Sequence, residues 1–289
     1  MSDVLVVGSI HLDRMVSVAA FPQPGETIVS LDTWTQLGGK GANQAVASAQ
    51  QHPTRLVACV GRDRDGEQAR ALLTARGVSV VLSESATQAT GSSVALIDAA
   101  GENMGIIAPA ANTDLTPAAV TAALDTPPAL VLCQWETPPD TLSAVLEAAR
   151  RRGIPTLLNA APWREDYRAL LPLADHVIVN AVEAAAWLGR PVDPHAQTLP
   201  FDHPSVTVTL GADGAAHYAR GHLRHRQPAP RVQAQSTHGA GDRFVGTLAA
   251  HLAQGRALPD ALSAASAAAA TFVQTLHKAE LHTELQPHR

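Results

Sequence analysis

Ser236-Thr237-His238-Gly239-Ala240-Gly241-Asp242-Arg243-Phe244 is the stretch from which this chain reads most directly. The segment before it, Val232 to Gln235, is β-like. The segment after it, Val245 to Leu252, is rich in alanine with helical periodicity. A glycine turn between a strand and a helix, with one carboxylate at the helix start, is an α/β junction. Its backbone N–H groups are free to meet an anion, and Asp242 is close to whatever that anion is bonded to. The expectation is a phosphoryl-transfer site.

Working outward, the rest of the chain alternates apolar β runs with helical segments. Val4 to Gly8 is a continuous apolar run, as in a parallel strand covered on both faces. Further strands are expected at Leu56 to Val60, Val78 to Leu82, Ala129 to Cys133, Thr156 to Asn159, His176 to Val179 and Val206 to Leu210. Helices are expected at Gln44 to Gln51, Gly66 to Arg76, Pro117 to Leu124, Pro138 to Arg152 and about 260–270. This order predicts an α/β/α sandwich on a mostly parallel sheet, in one domain over 1–289. Two excursions break the rhythm. Met15 to Ala20 and Thr27 to Leu37 are β-like with no helix between them, and Ser92 to Ala99 and Asn103 to Ala108 are a second such pair. They are expected to form a small antiparallel insertion, a β lid built from about 12–37 and 91–108.

Composition narrows the function. The 289 residues are 46% hydrophobic and 16% charged, enough for a substantial core, and the net charge of −5 argues against general nucleic-acid binding. Aromatic residues are 3%, which leaves little material for stacking on large flat ligands. Cys59 and Cys133 lie in apolar runs and read as buried thiols. No apolar run approaches the roughly 20 residues that span a bilayer, and the first residues read as a strand rather than a leader peptide. A soluble, cytoplasmic protein is expected. No Gly-x-Gly-x-x-Gly follows the first strand, which counts against a dinucleotide cofactor.

A second glycine loop, Gly38-Gly39-Lys40-Gly41-Ala42-Asn43, opens the helix at Gln44. It is not a P-loop, because Lys40 is followed by Gly41 rather than Ser or Thr. Asp13 comes soon after the first strand, where a carboxylate points at the ligand crevice of a parallel sheet. With Gly239-Ala240-Gly241-Asp242, this loop makes a pair that resembles the two signatures of the ribokinase/PfkB family of carbohydrate kinases. Gly8-Ser9-Ile10, Pro24-Gly25-Glu26-Thr27, Gln134-Trp135-Glu136-Thr137-Pro138, Asn159-Ala160-Ala161-Pro162, Asn180-Ala181-Val182-Glu183 and Thr209 to Gly214 resemble it too, in order along nearly the whole chain.

The resemblance implies ATP-dependent phosphorylation of the 5-hydroxyl of D-ribose with Mg²⁺, and a lid that also serves as the homodimer interface. Asp242 would be the general base, and the N–H groups of Gly239, Ala240 and Gly241 an anion hole. His11, Asp13, Gly39, Lys40, Asn43 and Glu136 would form the sugar-binding set. Asn180, Glu183, Thr209, Gly211, Gly214, Gly241 and Ser266 would serve the nucleotide, with Glu183 acting on Mg²⁺ through water.

The chain departs from the family at His11, Ser236, Arg243 and Val245, the last in place of a common Asn. His11 stands where these kinases carry Asn, which leaves a deoxypentose, a ketose or another small polyol open. Ser236 stands where the family carries an Asp that binds K⁺, and the second cation loop, about Thr275 to Leu281, lacks its glycine-rich form. Weak or absent K⁺ activation is the expectation. Arg243 stands where small residues are usual, and either meets a phosphate or points into solvent. Two alternatives remain: a kinase for another small sugar or a nucleoside, and a non-catalytic sugar- or nucleotide-binding protein on the same fold. The low aromatic content argues against nucleosides.

Overall fold

The computed structural model describes residues 2–100, 102–233 and 239–275. Its strands are β1 (Val4–Val7), β2 (His11–Ser17), β3 (Asp32–Gly38), β4 (Thr54–Gly61), β5 (Ser79–Ser85), β6 (Ser92–Ile97), β7 (Asn103–Ala108), β8 (Leu130–Gln134), β9 (Thr156–Asn159), β10 (His176–Asn180), β11 (Val206–Thr209), β12 (Ala215–Ala219) and β13 (His222–Gln227). Its helices are α1 (Lys40–Ala49), α2 (Arg64–Ala75), α3 (Pro117–Ala122), α4 (Pro139–Arg151), α5 (Ala181–Leu188), α6 (Ala240–Ala253) and α7 (Leu258–Thr275).

Nine strands form the main sheet in the order β13-β12-β11-β10-β9-β8-β1-β4-β5. Every pairing from β11 to β5 is parallel, and β12 and β13 close one edge as an antiparallel hairpin. Successive side chains of a strand point to opposite faces, and the apolar runs therefore supply two cores. Val4 and Val6, with Leu56, Leu132, Leu157 and Ile178, pack under α1, α2, α6 and α7. Leu5 and Val7, with Val57, Cys133, Leu158 and Val208, pack under α3, α4 and α5. This is the expected α/β/α sandwich. Both cysteines are free and buried, and burial pushes the Cys133 thiol up to about 12. No helix among the described residues is long and apolar enough to cross a membrane.

The chain order leaves β1 in one direction for β4 and β5, and in the other for β8 to β11. The strands next to β1 are thus reached by connections running opposite ways, and a crevice opens above their carboxyl ends. Ligands of parallel sheets sit there. Gly8 and Ser9 follow β1, and Glu136 follows β8.

Several expectations need correction. The second sheet, in the order β3-β2-β6-β7, is not wholly antiparallel: β2 pairs with β6 in parallel. Its first strand begins at His11 and ends at Ser17, and 18–31 is irregular. Consequently His11 and Asp13 lie within a strand of the small sheet, not in a loop closing the main one. Helix α1 starts at Lys40, four residues before the expected start, and α6 at Ala240 rather than Val245. In both cases a glycine with positive φ stands at the N-cap, Gly39 at 87° and Gly239 at 80°; glycine reaches that region without a Cβ clash and lets the helix begin at once. Val232 and Gln233 are irregular rather than β, and Ala234 to His238 lie outside the described residues, as does the tail beyond Thr275. The hairpin of β12 and β13, with its polar, histidine-rich sequence, has no counterpart in the sequence reading.

Candidate active site

Two glycine-capped helices bring the site together. The early start of α1 places Lys40, Gly41 and Ala42 in a first turn, whose N–H groups have no acceptor inside the helix. They are met from outside. Glu136 accepts from the Lys40 N–H (2.9 Å), the Ser9 hydroxyl from Gly41 (3.3 Å) and the Ser9 carbonyl from Ala42 (2.9 Å). The Ser9 hydroxyl in turn donates to the same Glu136 oxygen, Oε2. Close approach is required throughout: a Cβ on Gly41 would lie 2.4 Å from Ser9 N, and one on Gly39 3.0 Å from His11 N. Sequence reasoning named Glu136 and Lys40 but not Ser9, whose signal was present only as part of a short motif.

Asp13 and His11 adjoin this turn through β3. His11 pairs with Gly38 and Asp13 with Gln36. Asp13 accepts a 2.6 Å bond from the Ser93 hydroxyl, and a Cβ on Gly38 would come within 1.8 Å of its Oδ2. Both His11 and Asp13 are buried.

Asp242 sits in the first turn of α6, facing α1. Its Oδ2 accepts from Asn43 (3.3 Å) and its Oδ1 from Gln44 (2.9 Å). A Cβ at Gly241 would meet nothing within 4 Å. Among the described residues no side chain caps the first turn of α6, whose N–H groups have no acceptor inside the helix and stand beside a held carboxylate. The electrostatics are those of one cation among acids. Burial works against the Lys40 ammonium, but Asp242, Glu136 and Glu183 outweigh it and hold its pKa above the ordinary value. Burial pushes Asp242 up, helped by Glu136 and opposed by Lys40, Gln44 and Asn43. Glu183 is also raised, by burial first, with Asp242 adding to the rise and the Asn180 N–H and Lys40 opposing it.

Asn180 and Glu183 have a local structural role. They form a capping box on α5: Asn180 Oδ1 accepts from the Glu183 N–H and Glu183 Oε2 from the Asn180 N–H, both at 2.8 Å. Glu183 still reaches the site by charge, through Lys40 and Asp242. The Thr209 to Gly214 stretch is the turn of the antiparallel β11–β12 hairpin. Gly211 and Gly214 have φ of 59° and 87° there, and a Cβ on Gly214 would overlap Gln227 O at 2.0 Å. Ser266 is buried in α7. Thr209, Gly211, Gly214 and Ser266 share no hydrogen bond with the Asp242 cluster. Ser236 lies outside the described residues. Arg243 does not simply project into solvent: it is partly buried, its Nε has no partner among the described residues, and burial lowers its pKa.

Residues 1–282 match the family model described as "pfkB family carbohydrate kinase". This chain belongs to that family. The pfkB kinase is 32% identical over 276 residues to the ribokinase of Bacillus subtilis, covering 94% of this chain and 93% of that one. It is 30% identical over 266 residues to the bifunctional ribokinase/ribose-5-phosphate isomerase A of Fructilactobacillus sanfranciscensis, of which it spans 49%. Its fold matches the structure of Arabidopsis thaliana ribokinase complexed with ribose and ATP, with a TM-score of 0.83, 26% identity and 99% of each chain covered. An ATP-dependent sugar kinase follows from the family.

Proposed function

We propose that this kinase transfers the γ-phosphoryl group of ATP to the 5-hydroxyl of D-ribose, giving ribose 5-phosphate and ADP. The observation that carries the reading is Asp242, held on both oxygens by Asn43 and Gln44 in the first turn of α6. Asp242 accepts the hydroxyl proton as the sugar oxygen bonds to the γ-phosphorus. The bond from that phosphorus to the bridging oxygen breaks, and ADP carries the electron pair away. N–H groups of Gly239, Ala240 and Gly241 receive charge on the transferring group. His11, Asp13, Gly39, Lys40, Asn43 and Glu136 hold the sugar, each carboxylate or amide being able to bond two hydroxyls.

Thr209, Gly211, Gly214 and Ser266 line the nucleotide in this reading. Among the described residues no group of three or more His, Cys, Asp or Glu would hold a bare ion. Mg²⁺ would be carried on phosphates and waters, with Glu183 acting on it through water. When bound, the ion neutralises phosphate charge. K⁺ activation is proposed to be weak or absent, with Ser236 in place of a carboxylate; tenfold stimulation by K⁺ at constant ionic strength would sink this. The enzyme would act in the cytoplasm, where ATP is supplied.

The small sheet is proposed to act as a lid and, through its outer face, as the interface with a second copy of the chain. Val94, Met104 and Ile106 alternate with Ser93 and Ile107 and so face away from Asp13, and all three are exposed. Sedimentation of the native chain against Ile106→Glu checks it: a monomer in both cases ends the dimer reading.

A coupled ADP-release assay over pentoses, hexoses and nucleosides tests the function. Fastest turnover with D-ribose is expected. His11 favours one second reading, a kinase for deoxyribose or another small sugar, which a different best acceptor would establish. Sugar binding without turnover of any acceptor would instead make the chain a non-catalytic binding protein.

A further inference from the structure

Behind Asp242 lies a run of buried side-chain amides that the proposed chemistry does not use directly. Gln44 (α1), Gln134 (β8) and Asn159 (β9) are 0%, 0% and 6% exposed. Gln134 Nε2 donates to Gln44 Oε1 (2.7 Å), and Gln44 Nε2 donates to both Asn159 Oδ1 (2.9 Å) and Asp242 Oδ1 (2.9 Å). Asn159 Nδ2 donates to the Ile178 carbonyl (3.2 Å).

An amide can be turned over, so the direction of such a chain needs a reason. Here both ends supply one. The Ile178 carbonyl can only accept, so Asn159 must present its NH₂ there and its oxygen to Gln44. The ionised Asp242 can only accept as well, so Gln44 must present its NH₂ to both. Its oxygen then faces Gln134, which must donate. Gln134 is left with a cost: its Oε1 is buried without a partner among the described residues, pressed where a Cβ on Gly8 would lie 2.2 Å away. An apolar side chain at 134 would avoid that cost. The amide there serves the chain.

We propose that Gln134 and Gln44 are positioning residues that lock one amide polarity behind Asp242, so that its Oδ1 always meets a donor and the carboxylate stays ionised and aimed at the acceptor hydroxyl. This rests on Asp242 being the base. Turning the Gln44 amide over would set a carbonyl oxygen against the carboxylate and favour its protonated form. The device couples two strands of the main sheet to the catalytic carboxylate through buried side chains alone.

The test is the pH profile of kcat/KM at saturating nucleotide for the parent, Gln134→Met, Gln134→Glu and Gln44→Met. The profile's midpoint does not depend on the fraction of folded enzyme, and nucleotide titrates alike in all four. Gln134→Glu can only accept when ionised and pulls the Gln44 NH₂ away from Asp242; the two Met variants remove a link. All three are expected to move the acid limb up by about 1 pH unit, so that kcat/KM falls about tenfold at pH below the parent's limb and recovers at high pH. Asp242→Asn is run beside them. If it abolishes turnover while the limb stays within 0.2 units (roughly the scatter set against a shift of this size) in all three variants, the positioning role is overturned and the base stands. If Asp242→Asn keeps near-normal kcat, the base itself is wrong and the positioning role falls with it.

Discussion

Asp242 has both carboxylate oxygens engaged, and each partner comes from α1, two hundred residues away in the chain. A carboxylate so held still has a lone pair on each oxygen with which to meet a substrate hydroxyl. Replacing it, Asp242→Ala, is expected to lower kcat by at least roughly 10²–10⁴, the usual contribution of a general base, with steady-state ADP release as the measurement; a near-normal kcat would remove it from that role. Gly38 makes a sharper test of the sugar pocket, because it is not a binding side chain at all. A methyl at that position would lie 1.8 Å from Asp13 Oδ2, and Asp13 must move. Gly38→Ala is expected to raise KM for the sugar roughly tenfold, the loss of one charge-assisted hydrogen bond of about 1.5 kcal/mol, while KM for ATP changes little. An equal rise in both would place Asp13 outside the sugar pocket.

At the scale of elements, α1 and α6 must lie close for Gln44 to reach Asp242. Gly246 permits it: a Cβ there would be 2.3 Å from Gln44 O and 2.7 Å from the Ala47 Cβ. Backbone cannot yield as a flexible side chain can, so Gly246→Ala has to push the helices apart. A loss of about 1–3 kcal/mol is expected in chemical denaturation, the usual cost of overpacking, together with a kcat defect as Asn43 and Gln44 draw back from Asp242. Full stability in this variant would show that the contact is looser than the geometry indicates. Both helix starts were legible as glycine motifs, but their positions were not. Alanine-rich periodicity marks where a helix continues, and it took the positive φ of Gly39 and Gly239 to show that each begins at the glycine. The same is true of β2: the β-like run from Met15 to Ala20 suggests the strand, whereas pairing runs from His11 to Ser17 with β3 and from Leu12 to Ser17 with β6.

At the scale of the whole molecule, a group of histidines ties the sheet edge to acid stability. His176 stacks on His217 with ring centroids 5.4 Å apart, and its two nitrogens bond the Thr207 and Ser205 hydroxyls at 2.9 Å. Burial above all, then His217 and His203, depresses His176 to about 3; burial also lowers His217 and His251. The unfolded chain protonates these groups near pH 6.5, whereas the folded one resists. Their contribution is therefore complete above about pH 6.5 and is lost as pH falls toward 3. Thermal melts from pH 7.5 to 4.5 are expected to show Tm falling steadily on the acid side, and His176→Asn to flatten that slope. An unchanged slope would mean that other groups govern acid unfolding.

The sequence alone determined the alternation of apolar strands and helices, the two glycine loops and the carboxylate, Asp242, that follows the second, because these depend on local periodicity and on residue types that few other roles require. From them came the α/β/α sandwich and the proposal of Asp242 and Asp13 for the site, while Lys40 and Glu136 were proposed through the resemblance to the kinase family. Tertiary structure decided the rest. It made Asn180 and Glu183 a helix cap, put His11 and Asp13 into a separate sheet, and found Ser9, Gln44, Gln134 and Asn159 behind the charged groups. Those four are uncharged polar residues, three of them inside quoted motifs, but nothing in their spacing marks which groups they hold. Their meaning lies in what they touch, and their partners stand between 19 and 198 residues away along the chain.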